Sequence, residues 1–256
     1  MSMKIGKALV GAMRLVFWLP RSKKWRTAYL GVLAVVFAYA GILTFPGALF
    51  AYYHEQGTYR VWSDEPIDPA ITSVLDRAEG LLKRSAIHDP NMVHRLYVCN
   101  NKTRMRFVAR GDMAFGVTYL MRHNTFLSRA EVPADKIFRG ASDQAQRPLS
   151  SVIAHERIHA LLLSHYGLLT EFWLPTWKKE GYCEYIGGNP SFGIEEGKRL
   201  IREGRKSSAP SFRYLEYYFM VKYLLDVEHR SVDDLVTKSF DEAEVFSKAR
   251  KAIDRL

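Results

Sequence analysis

Apolar positions along this chain fall into three regimes. In residues 27–53 they run on without a single charged residue. A bilayer core needs about 20 such residues, so the pattern predicts a transmembrane helix. Residues 5–19 are also apolar but are interrupted by Lys7 and Arg14 and closed by Pro20, which suits an interfacial segment rather than a second span. Residues 54–69, with Asp64, Pro66, Asp68 and Pro69, read as a linker ending in an aspartate cap. From there the periods alternate. Ile71, Val74, Leu75, Ala78, Leu81 and Leu82 share one helical face within 70–86, and β-rich runs follow at 94–99, 105–109 and 114–127, the last in two arms around residues 122–124. Residues 133–148 read as an exposed polar loop. Helical spacing then takes over at 151–163, 174–186 (stopped by Gly187 and Gly188), 194–203, 212–228, 232–238 behind Ser231, and 242–253 behind Asp241 with Glu244 three residues on. Strands first and helices after predict an α+β domain over residues 70–256, behind a tail at 1–26 and the span at 27–53.

The chemistry sits in the apolar run SVIAHERIHALLL. His155 and His159, four residues apart on a helix, share a face and can point at one ion. Glu156 can then take a proton from water at that ion. The competing reading is an ordinary buried helix, but its apolar flanks would leave two imidazoles needing partners. Arg157 departs from the usual uncharged character of such a helix. The segment LPTWKKEGYCEYI places Glu180 and Glu184 on one helical face, where the bland alternative is a solvated surface. Cys99 and Cys183 are too few for a thiolate zinc site; free buried thiols are preferred over a disulfide. Cys183 is itself a possible ligand, ranked below Glu180.

An H-E-x-x-H pair followed about twenty residues later by W-x-x-E-G-x-x-E-Y resembles the gluzincin metallopeptidases, of the membrane-anchored peptidase MA-like kind. The two motifs cover about 35 residues and say nothing of substrate. The resemblance implies a zincin-like domain: a small, mostly antiparallel sheet followed by helices carrying the zinc motifs. It implies zinc on His155, His159 and Glu180, Glu156 as general base, and Glu184 accepting the outer N–H of a ligand histidine. It also implies that the strand before the zinc helix, here 125–129, is an edge strand that aligns a peptide, with a plain core strand as the alternative. YLEYYFMVKYL is similar to the aminopeptidase-like segment whose leading tyrosine binds the oxyanion, which would be Tyr214, although the glycine expected after it is Tyr217 here. The implied activity is peptide-bond hydrolysis on peptide or protein substrates. From another class, the alternative is an inactive zincin-fold scaffold tethered to the membrane; Glu156, which such a scaffold would not need, speaks against it.

Charge changes the picture in one respect. The net charge is +10, and seven bases (Lys4, Lys7, Arg14, Arg21, Lys23, Lys24 and Arg26) precede the span with no acid among them. Taking those seven from the 37 bases leaves 30 against 27 acids, so no nucleic-acid-binding stripe is indicated. The asymmetry predicts a cytoplasmic N-terminus, a tail against anionic headgroups, and a catalytic domain outside. A cleaved signal peptide ending at Ala38-Tyr39-Ala40 is the alternative, but the apolar run continues well beyond it.

Overall fold

The computed structural model describes residues 22–109, 114–119, 122–140 and 145–256, so the predicted interfacial segment and nearly all of the basic tail lie outside the described residues. The chain divides into two compact units, Met1–Pro46 and Gly47–Leu256. In the first, helix α1 (Lys23–Thr44) is capped by Ser22, whose hydroxyl accepts from the Trp25 N–H. It is long and apolar enough to cross a membrane. The predicted span is shortened at its far end: Pro46 opens a short 3-10 turn, and the last apolar residues, Tyr52 and Tyr53, begin a strand.

The expected linker at 54–69 is instead largely a hairpin, so the second unit begins well before residue 70. Strands β1 (Tyr52–Gln56) and β2 (Tyr59–Ser63) pair antiparallel around Gly57, which has a φ of 56°. Tyr59, Val61 and Ser63 alternate into the core, a period of two that the neighbouring prolines and acids had obscured. Helix α2 (Ile71–Leu82) buries the predicted face. Strand β3 (His94–Val98) follows as expected. The predicted strand at 105–109 is wrong. It is the end of helix α3 (Lys102–Ala109), started by Asn101, whose Oδ1 accepts from the Thr103 N–H at 2.9 Å, with Met105 and Val108 buried three apart.

The two arms at 114–127 form strands β4 (Gly116–Thr118) and β5 (Asn124–Leu127), and Arg122 and His123 turn between them with positive φ. Sheet order is β1-β2-β3-β5-β4. The β2–β3 and β3–β5 pairings are parallel, so the sheet is mixed rather than mostly antiparallel. Strand β5 is interior, so 125–129 takes the alternative of a plain core strand rather than the edge that the resemblance implied, and the edge strand on the site side is β4. The stretch expected to be a polar loop holds β7 (Lys136–Phe138) and β8 (Gln146–Pro148), which together with β6 (Ala130–Glu131) make a small second sheet.

Helix α4 (Leu149–Trp173), broken at Gly167 (φ 81°), is shared by two hydrophobic clusters. Leu149, Val152 and Ile153 pack with β2, β3 and α2; Ile158, Leu161 and Leu162 pack with the helices that follow. Those are α5 (Thr176–Gly187), α6 (Ile194–Arg202), α7 (Pro210–Lys222) running into a π turn at Tyr223–Val227, α8 (Val232–Thr237) and α9 (Glu242–Lys251). Three of the predicted caps hold: Gly188 is left-handed, and Ser231 and Asp241 accept from backbone N–H groups; Asp68 instead accepts from the Ala70 N–H one residue before α2, which starts without a side-chain cap. Cys99 and Cys183 are buried and not joined in a disulfide.

On the side of α4 away from its histidines, Arg157 is fully buried and its three guanidinium nitrogens find no acceptor among the described residues. Tyr59 and His88 already occupy the oxygens of Glu79, the acid whose field reaches it. Burial, only partly offset by Tyr59 and Glu79, pulls the guanidinium down to about 9. It therefore remains charged at neutral pH, and replacing such a buried ion by an apolar side chain of similar volume is often stabilising. Arg157→Met is expected to raise the Tm by about 2–8 °C, from roughly 1–2 kcal/mol of relieved desolvation. Thermal unfolding of the two proteins side by side checks the sign.

Candidate metal centre

The start of α4 is fixed from outside. Asp135, in the left-handed region at φ 52°, accepts from the Leu149 N–H through its carbonyl and from the Ser150 N–H and Oγ through its carboxylate, at 2.7–2.9 Å. The helix thus begins with its orphan N–H groups satisfied by a residue fourteen positions upstream. Its partner α5 is held against α7 by glycine. A Cβ on Gly181 would stand 2.5 Å from the Tyr217 carbonyl oxygen, so α5 and α7 meet nearer than any larger residue allows. Ser151 Oγ donates to the Gly187 carbonyl at 2.7 Å and ties α4 to the end of α5.

Between these helices the expected donors converge. One carboxylate oxygen of Glu180, Oε2, lies 3.5 Å from His155 Nε2 and 3.7 Å from His159 Nε2. A tetrahedral ion with bonds of about 2.0–2.1 Å holds its donors about 3.4 Å apart, so this spacing fits such an ion. Burial pushes Glu180 up, but the two histidines outweigh it and hold the carboxyl down at about 2. Burial likewise lowers His155, and the acids Glu184, Glu180 and Glu156 together raise it above its ordinary value.

The outer nitrogens meet the same helix one turn on. His155 Nδ1 is 3.4 Å from Glu184 Oε1, without the alignment of a hydrogen bond, and it has no other partner. Cys183 Sγ is 3.6 Å from His159 Nδ1. His155, His159 and Cys183 form a cluster that could hold a metal ion. The thiol, however, stands on the Nδ1 side of His159, whereas Glu180 faces the Nε2 atoms of both rings; Glu180 is the donor positioned to complete a set with both Nε2 atoms. Glu184 is gripped by the buried Arg147 through two bonds of 3.1 and 2.8 Å, and Arg147 also donates to the Asn189 carbonyl. The sequence reading did not single out Arg147, which comes from the supposed loop; only its pairing with β7 brings it here.

Glu156 lines the same cavity as this donor set and lies against β4. Thr118 Oγ1 donates to its Oε2 at 2.8 Å, and a Cβ on Gly116 would stand 2.8 Å from its Cγ. Gly116 and Thr118 were also missed, since nothing in a single strand marks the residue a distant glutamate will lie against. A cavity of about 400 Å³ joins these groups, with β4 along one side and Tyr214 of α7 on its lining. Tyr214 is partly exposed, and burial, with Glu180 and Glu184 nearby, raises its phenol above the ordinary value. No protein-family model matches the chain and no curated protein matches it.

Proposed function

We propose that this chain is a membrane-anchored zinc metallopeptidase of the gluzincin type, with a zincin-like domain, acting on peptide or protein substrates on the non-cytoplasmic side. The observation that carries the reading is the single Glu180 oxygen facing both Nε2 atoms, with Glu156 beside them against a free sheet edge. The apolar length of α1 and the bases before it support the anchor and its orientation.

Zinc held by His155, His159 and Glu180 supplies, when bound, the Lewis-acid charge that makes water acidic near about pH 7. Glu156 is the base that takes the proton. Its Oε2 already accepts from Thr118, which leaves Oε1 for that role, and the carboxyl afterwards delivers the proton to the leaving amine. The outer edge of β4, unpaired among the described residues, gives a peptide backbone N–H and C=O groups to pair with, which sets the scissile carbonyl beside Glu156. Tyr214, whose raised pKa keeps the phenol protonated, donates to the carbonyl oxygen as it gains charge.

Metal analysis tests the centre itself. The purified chain is expected to hold one zinc, and His159→Ala to lose it, because two remaining donors rarely hold zinc tightly. Unchanged zinc content in that variant would remove the centre, and the peptidase with it.

A further inference from the structure

The cavity has a second chemical feature. Arg139, just past the end of β7, lies on its lining, and its guanidinium carbon is 5.4 Å from the centre of the Phe115 ring. The same ring carries Arg147 at 5.9 Å, so two guanidinium groups flank one aromatic platform immediately before the edge strand. They differ in what neutralises them. Arg147 is closed off by Glu184 and the Asn189 carbonyl, whereas Arg139 has no acid partner among the described residues. Arg139 is half-buried, and its main-chain N–H is fixed to the Ala145 carbonyl at 2.9 Å. A partly desolvated, backbone-anchored guanidinium with free donors is a carboxylate receptor.

Its place along a substrate follows from β4. Gly116 touches Glu156 and Phe115 is the next residue back, while neighbouring residues on an added strand stand about 3.3 Å apart. The side chain that reaches Phe115 and Arg139 therefore belongs to a residue within about two positions of the bond beside Glu156.

We propose that Arg139 is a specificity-determining residue that binds a carboxylate of the peptide within about two residues of the scissile bond. This deepens the peptidase reading and rests on it. Two sources share this chemistry: an Asp or Glu side chain, and a free C-terminal carboxylate. The test measures binding rather than cleavage, in the full chain in detergent carrying Glu156→Gln, by fluorescence anisotropy of labelled, end-blocked hexapeptides. One Glu is moved position by position and compared with Gln at the same place; a parallel pair has a free or an amidated C-terminus. At one Glu position, or at the free C-terminus, the acid is expected to bind about tenfold or more tightly than its amide partner. Arg139→Gln should bring that ratio within about twofold, and Arg139→Lys should keep part of it. Which pair shows the preference identifies the source. A ratio near one at every position and at the terminus, or a preference that survives Arg139→Gln, overturns the proposal. Failure of the peptidase reading would appear instead as turnover indifferent to Glu156, which this ratio does not involve.

Discussion

Glu156→Gln is expected to lower peptide turnover by about 10²- to 10⁴-fold while leaving the zinc content unchanged. The substitution keeps the shape of the side chain and its hydrogen-bond acceptor, so the Thr118 hydroxyl retains a partner at the position it now reaches at 2.8 Å. What disappears is the ability to take a proton. The three donors that face one another, His155 Nε2, His159 Nε2 and Glu180 Oε2, do not include Glu156, so the ion should be indifferent to the change. Turnover of casein or a quenched peptide, with metal content measured on the same preparation, separates the two effects. If the variant cleaves as fast as the parent, Glu156 is not the base. If neither protein cleaves and both hold metal, the chain is a zincin-like scaffold.

The site was more legible in the sequence than the fold around it, for a physical reason. His155, Glu156 and His159, and likewise Glu180 and Glu184, are related by helical periodicity, which a sequence displays directly. Their meeting depends only on two helices lying side by side, which the close approach of Gly187 to Ser151 and the Ser151–Gly187 bond secure. Strand relations carry no such local mark. The β1–β2 hairpin hid in what looked like a linker because its pairing with β3 is non-local, and edge and core stayed open for β5 because nothing in Asn124–Leu127 says which neighbour it will have on each side. The groups that position the candidate site residues depend on strand and loop placements that no local period displays: Asp135 at the start of α4, Arg147 on Glu184, Gly116 and Thr118 against Glu156. Arg157 was visible as an oddity, and on the far side of α4 its guanidinium has no hydrogen-bond acceptor among the described residues.

Glu180→Gln and Glu184→Gln should fail in opposite ways, and the contrast decides which carboxylate is the third ligand. Glu180 faces both Nε2 atoms, and its depressed pKa shows that the field of the two histidines favours its charge. Removing that charge should cost more metal affinity than the about 10- to 100-fold typical of losing an outer partner. Glu184 has a different attachment. It answers Arg147 with two hydrogen bonds at a nearly dry position, so its neutralisation leaves a buried guanidinium uncompensated. Breaking a buried pair from one side costs about 3–5 kcal/mol, a Tm drop of about 6 °C or more for a domain of this size. Metal affinity should fall only about 10- to 100-fold, because His155 loses a charge near Nδ1 rather than a donor. Zinc titration and thermal unfolding of both variants give four numbers whose pattern is the test. Greater loss of zinc in Glu184→Gln than in Glu180→Gln would move the ligand one helical turn. If Cys183→Ser exceeded both, the thiol now 3.6 Å from His159 Nδ1 would be the third donor, and the open position of the site would face α5 rather than the free edge of β4.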